Sequence, residues 1–190
     1  AYNNRGIMYK NANQDQKALA DFNKAISIKN DYDLAYNSRG NIYFKQGKDK
    51  EAIADYNKAI QYDPNNYKAY ANRAAAYGRL GQLEPAFADL DKALAINASH
   101  DNSYLNRGIL SQQVGRHERA IQDFSSYLRI HPNHAGIINS RGVSFQGLGQ
   151  HDKAVQDFNK AIQMSPREGT FYLNRSVSYY NLNNKSQAIN

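Results

Sequence analysis

Six arginines, Arg5, Arg39, Arg73, Arg107, Arg141 and Arg175, stand 34 residues apart along a chain of 190. A guanidinium presents a planar fork of donors that suits a carboxylate or a phosphate, so such a file either binds an acidic ligand or braces the fold. Bracing is the better reading, because an aspartate follows sixteen residues after each of the first five: Asp21, Asp55, Asp89, Asp123 and Asp157. Arg5 with Asp21, Arg39 with Asp55, Arg73 with Asp89, Arg107 with Asp123 and Arg141 with Asp157 are therefore expected as structural ion pairs. Such pairing leaves the arginines little free charge for a ligand. Immediately before each arginine stands Asn4, Ser38, Asn72, Asn106, Ser140 or Asn174. An asparagine amide carries a donor and an acceptor together, which matches a peptide backbone whatever its sequence.

Other chemistry finds little support. The chain has no Cys, which removes disulfides and thiolate metal sites. His117 and His151 share one repeat position, and His100 and His134 share another. Both are helix-start or turn positions expected to be exposed, so no metal site is expected, even at His131 and His134. A phosphate-cradling glycine loop, a nucleophile elbow and a zinc-binding HExxH are all missing, so no catalytic residue and no cofactor is assigned. The net charge of +7 favours acidic partners. Its cations are scattered rather than gathered into a basic arm, which makes nucleic acid an unfavoured partner. No stretch approaches the roughly 18 apolar residues of a membrane span, no signal peptide opens the chain, and the sequence does not name a compartment.

The elements that must position these side chains follow from the same period. With the arginine as seventh place, the repeats run 1–32, 33–66, 67–100, 101–134, 135–168 and 169–190, the first and last incomplete. At the fourth place, Tyr2, Tyr36, Tyr70, Tyr104, Ile138 and Tyr172 precede an eleventh-place aromatic such as Tyr9, Tyr43, Tyr77, Phe145 or Tyr179 by seven residues, two helical turns. A second apolar run, such as Ala52, Ile53, Tyr56, Ala59 and Ile60, has the spacing of one helix face. Between the two stands Asn13, Gly47, Gly81, Gly115, Gly149 or Asn183, residues that accept a left-handed backbone and end a helix. Each repeat is thus two helices. Small residues at place eight (Gly6, Gly40, Ala74, Gly108, Gly142, Ser176) and at place twenty (Ala18, Ala52, Ala86, Ala120, Ala154, Ala188) let the pair approach closely.

The pattern Tyr36, Gly40, Tyr43, Ala52, Tyr56, Ala59, Pro64, recurring in register along the whole chain, resembles the tetratricopeptide repeat. The resemblance implies an all-α fold, a right-handed superhelical solenoid of antiparallel helix pairs forming one array over 1–190. It also implies a non-catalytic scaffold that holds an extended partner segment in a concave groove. The alternative is the targeting domain of a larger enzyme such as a glycosyltransferase, since the file of Asn and Ser resembles the asparagine ladder in the repeat domain of one.

In that family, places two, five, six, nine, twelve and thirteen of the first helix point into the groove. The file Asn4, Ser38, Asn72, Asn106, Ser140, Asn174 then faces the partner's backbone, with Asn37 beside it. Lys10, Lys45, Lys68 and Arg79 make the N-terminal half of the groove basic, whereas Leu105, Ile109, Val143, Leu173 and Val177 make the C-terminal half partly apolar. The implied ligand is a protein or peptide, acidic toward one end with an apolar anchor toward the other. The carboxylate clamp of chaperone-tail-binding relatives fits no window here, because Asn102 and Asn106 stand where Lys and Arg are needed. Repeat four departs from the pattern with Ser111 at place eleven and Tyr127 at place twenty-seven, and one expectation is that the Tyr127 ring fills the volume Ser111 vacates. Both ends fall inside repeats and show no polar cap, which suggests a piece of a longer array and self-association through the end faces.

Overall fold

The computed structural model describes residues 1–182 and is all-α, with eleven helices among the described residues. They are α1 (Tyr2–Asn11), α2 (Asp15–Ile28), α3 (Asp33–Lys45), α4 (Asp49–Tyr62), α5 (Tyr67–Arg79), α6 (Leu83–Ile96), α7 (Asp101–Gln113), α8 (His117–Ile130), α9 (Ala135–Gly147), α10 (His151–Met164) and α11 (Gly169–Asn181). They pack as sequential antiparallel pairs in two compact units, Ala1–His100 and the part from Asp101 onward. Asn183 and Ala188 lie outside the described residues.

Within a pair the turn is set by one residue of positive φ: Asn13 at 55°, Gly47 at 77°, Gly81 at 72°, Gly115 at 74° and Gly149 at 69°. A side chain in that region is strained, which is why Gly and Asn occupy the position. The next helix then carries an acidic residue in its first turn at Asp15, Asp49 or Asp152, which complements the positive end of its dipole.

Close approach of the two helices rests on a size rule. A Cβ added at Gly6, Gly40, Gly108 or Gly142 would meet the ring of Phe22, Tyr56, Phe124 or Phe158 at no more than 2.8 Å. Only glycine fits opposite a buried ring. In the third repeat the opposing residue is the smaller Leu90, and there place eight is Ala74, both side chains being buried. Each interior ring contributes roughly 2 to 3 kcal/mol by leaving water, and the glycine is the condition for that burial.

Pairs stack through contacts of each second helix with the following first helix: α2 on α3, α4 on α5, α8 on α9 and α10 on α11. First helices also touch one another, α1 with α3, α3 with α5 and α9 with α11, whereas among the described residues no second helix meets another second helix to that extent. The first helices therefore lie side by side along one face of each unit.

The fourth repeat departs from the sequence expectation. Ser111 lies beside the α7–α8 turn, and Tyr127 lies ten residues into α8, about 15 Å along the helix axis. The Tyr127 ring packs on Ile137 and Ile138 and stacks 4.6 Å from the His131 ring, while its hydroxyl bonds His134 Nδ1 at 3.0 Å. It fills the joint with the next repeat rather than the space beside Ser111. The two substitutions are separate because antiparallel packing puts them at opposite ends of the pair.

Candidate functional site

All five expected ion pairs form. Arg39 donates from Nε and Nη2 to both carboxylate oxygens of Asp55 at 2.7 Å, and the same two-pronged pair joins Arg5 to Asp21, Arg73 to Asp89, Arg107 to Asp123 and Arg141 to Asp157. The guanidinium also reaches backward. Arg39 Nη1 bonds Asn23 Oδ1 at 2.7 Å, Arg73 bonds Asn57 at 2.6 Å, Arg141 bonds Ser125 Oγ at 3.1 Å and Arg175 bonds Asn159 at 2.8 Å. One side chain thus clamps its own pair sixteen residues ahead and the preceding pair sixteen residues behind. The signal for the second clamp was present in the Asn or Ser at place twenty-five, but it took the fold to join them.

Aromatic rings hold the fork in plane. Arg39 lies 5.5 Å from the Tyr36 ring centre and 5.9 Å from that of Tyr43. Hydrogen bonds from Arg5 hold the Asp21 carboxyl below the usual carboxylate range, and Asp55 and Asp157 raise the arginines that they grip. These charges are satisfied inside the protein.

Two of the four cations expected to line the groove are engaged as well. Lys45 Nζ lies 3.0 Å from Asp15 and donates to Asn13 Oδ1 at 3.1 Å. Arg79 Nε bonds Asp49 at 2.7 Å, its Nη2 reaches Asp49 and donates to the Phe44 carbonyl at 2.6 Å, and its guanidinium stacks 3.8 Å over the Phe44 ring. Each bridge joins place seventeen of one repeat to place thirteen of the next. Lys68 is exposed beside the Tyr67 ring, and Lys10 is half-buried; neither has a carboxylate partner among the described residues.

The amide file forms a lattice of its own. Asn72 Nδ2 donates to Asn37 Oδ1 at 3.0 Å, and Asn174 Nδ2 donates to Asn139 Oδ1 at 3.0 Å. Asn4 is exposed, Asn106 is half-buried and Ser38 is buried, while half-buried Ser140 bonds back to the Gly136 carbonyl. Residues outside the sequence expectation extend the lattice: Gln112 Nε2 donates to the Ser140 carbonyl at 2.6 Å and to Ser144 Oγ at 2.8 Å. Gln146 repeats that bond pair one step on, to the Asn174 carbonyl at 3.1 Å and Ser178 Oγ at 3.0 Å. Burial pushes the Tyr56 hydroxyl up, so it stays neutral and donates to Asn41 Oδ1 at 2.8 Å.

On the first helices of the C-terminal unit, Ile109, Leu173 and Val177 are exposed, and Leu105 and Val143 are half-buried. Tyr180, at place twelve, was not anticipated and is 62% exposed.

His131 Nε2 lies 2.6 Å from Asp101, and His134 Nδ1 lies 3.0 Å from the Tyr127 hydroxyl. His117 and His151 are half-buried rather than exposed, and the His117 ring fills the space over Gly147 of the next repeat. No three metal-ligating side chains cluster, and no helix is long and apolar enough to cross a membrane, among the described residues.

Two family models match the sequence, one described as TPR repeat over residues 6–47 and 40–81, the other as tetratricopeptide repeat over 67–100 and 135–168. No curated protein matches. Among solved structures the chain is similar to YrrB, described as a TPR protein with an unusual peptide-binding site, at 24% identity and TM-score 0.76, covering 90% of this chain and 88% of that one. It is similar to a tetratricopeptide repeat protein from Parabacteroides merdae at 23% identity and TM-score 0.77, covering 99% and 75% respectively. It is also similar to MamA at 22% identity and TM-score 0.76, covering 89% and 92%.

Proposed function

Because this chain belongs to the tetratricopeptide repeat family, whose members are protein-interaction scaffolds, we propose that it holds an extended segment of a partner protein against the inner places of its first helices, without catalysis. The observation that carries this reading is the division of labour among the polar side chains. The arginines and aspartates are consumed in bracing the repeats, whereas the amides of the inner face are only partly satisfied. Asn72 and Asn174 each spend one N–H on a neighbouring asparagine and keep the carbonyl, which is the acceptor a peptide N–H needs. The binding described for YrrB is a precedent on the same fold.

A basic groove end is a weaker element of this proposal than the count of cations implies. Lys45 and Arg79 already hold carboxylates, so an acidic partner gains Lys10 and Lys68 and must compete for the rest. A direct test pans a library of random 12-residue displayed peptides on the full chain. The proposal expects peptides that bind the wild type and lose binding on Ile109→Asp or on Asn72→Ala, with helicity unchanged. A library that yields no binder, or binders insensitive to every inner-face substitution, contradicts it.

A further inference from the structure

At places two, five, six, nine, twelve and thirteen of α7, α9 and α11 there are eighteen positions, and none carries Asp, Glu, Lys, Arg or His. The corresponding positions of α1, α3 and α5 hold Lys10, Lys45, Lys68 and Arg79. In a chain that is 22% charged, so complete an absence on one face is a property of that face. The net charges of the two units do not explain it, because both are positive and of similar size.

Two side-chain kinds remain there. Ile109, Val143 and Val177 recur at place nine, one per repeat, with Ile109 39% and Val177 44% exposed, and Leu173 and Tyr180 flank them. Beside this column stand Gln112, Gln146 and Asn174, each fixed by a bond from its amide N–H to the neighbouring first helix or its asparagine. Their carbonyl oxygens have no partner among the described residues. The inter-repeat bonds set these groups in place before any ligand arrives, which lowers the ordering cost of binding.

Such a face discriminates by charge through exclusion. A carboxylate or ammonium pressed against the aliphatic column loses water and finds no counter-ion, whereas an amide or hydroxyl finds the Gln and Asn carbonyls. We propose that the face of α7, α9 and α11 takes an uncharged partner segment, its aliphatic side chains set on Ile109, Val143 and Val177 and its N–H groups bonded to Gln112, Gln146 and Asn174. The inference rests on the peptide-holding reading above and adds the chemistry of the occupant.

The test takes the peptides selected on the full chain and sorts them by response to Val143→Glu and, independently, to the more exposed Leu173→Asp. Peptides that lose binding about tenfold or more to either variant are expected to be depleted in Asp, Glu, Lys and Arg relative to the input library. Their affinity should change less than about twofold between 0.1 and 0.5 M salt, as the Debye length falls from about 10 to about 4 Å. Enrichment of charged residues in that class, or a steep salt dependence, overturns the inference. It is also overturned if every binder responds only to Lys68→Glu or Asn72→Ala, an outcome that leaves the peptide-holding reading intact. Failure to select any peptide counts against both.

Discussion

Arg39 ties three elements with one side chain, gripping Asp55 on α4 and Asn23 on α2 from α3. Removing its carboxylate partner strands a guanidinium whose side chain is only 19% exposed. Asp55→Ala is expected to cost about 2 to 3 kcal/mol in urea unfolding, somewhat less than a fully buried broken pair because water still reaches part of Arg39. The terminal pair behaves differently with pH. Hydrogen bonds from Arg5 lower the Asp21 carboxyl in the folded chain, so the pair stabilises fully above the unfolded value of about 3.9 and is lost as pH falls through the lower folded value. Melting of wild type against Asp21→Asn should show a gap at neutral pH that closes in acid; a gap that widens in acid contradicts the assignment. The arginine braces were legible in the sequence because both partners recur at fixed places. The bridges Asp15–Lys45 and Asp49–Arg79 were not, because they cross from one repeat to the next and their places change chemistry along the chain: in the later repeats His117 meets Gly147 instead. A lysine that reads as groove charge in isolation becomes a strut once the neighbouring repeat is packed against it.

At the scale of the helix pair, the size rule at places eight and twenty-four predicts both damage and its repair. Gly142→Ala sets a methyl 2.7 Å from the Phe158 ring and is expected to destabilise by about 1 to 3 kcal/mol. Adding Phe158→Leu recreates the Ala74–Leu90 combination found in the third repeat and should recover part of that loss. Denaturation of the single and double variants measures the coupling, and strictly additive losses would remove the rule. Helix positions and the small residues between them were readable from periodicity alone. Which second-helix residue each glycine faces was not, since that depends on the stagger of the pair. The same limit explains Tyr127: a large residue at an alanine place signals a change, but only the packing of α8 on α9 shows that Ile137 and Ile138 receive it.

For the molecule as a whole, charge and binding separate. The net charge of +7 and the dispersed cations predict that random oligonucleotides bind only weakly at physiological salt; tight binding there that collapses steeply as salt is added would instead mark a nucleic-acid site. The inner face of α7, α9 and α11 predicts the opposite behaviour toward an uncharged peptide. The apolar column there was visible in the sequence once the repeat places were known, whereas the bonds of Gln112 and Gln146 that hold it together appear only in the folded chain. Hydrogen exchange of the full chain with and without a selected peptide tests the central claim most directly. The account predicts added protection within α7, α9 and α11, with α8 and α10 little changed; protection concentrated on those second helices would contradict it.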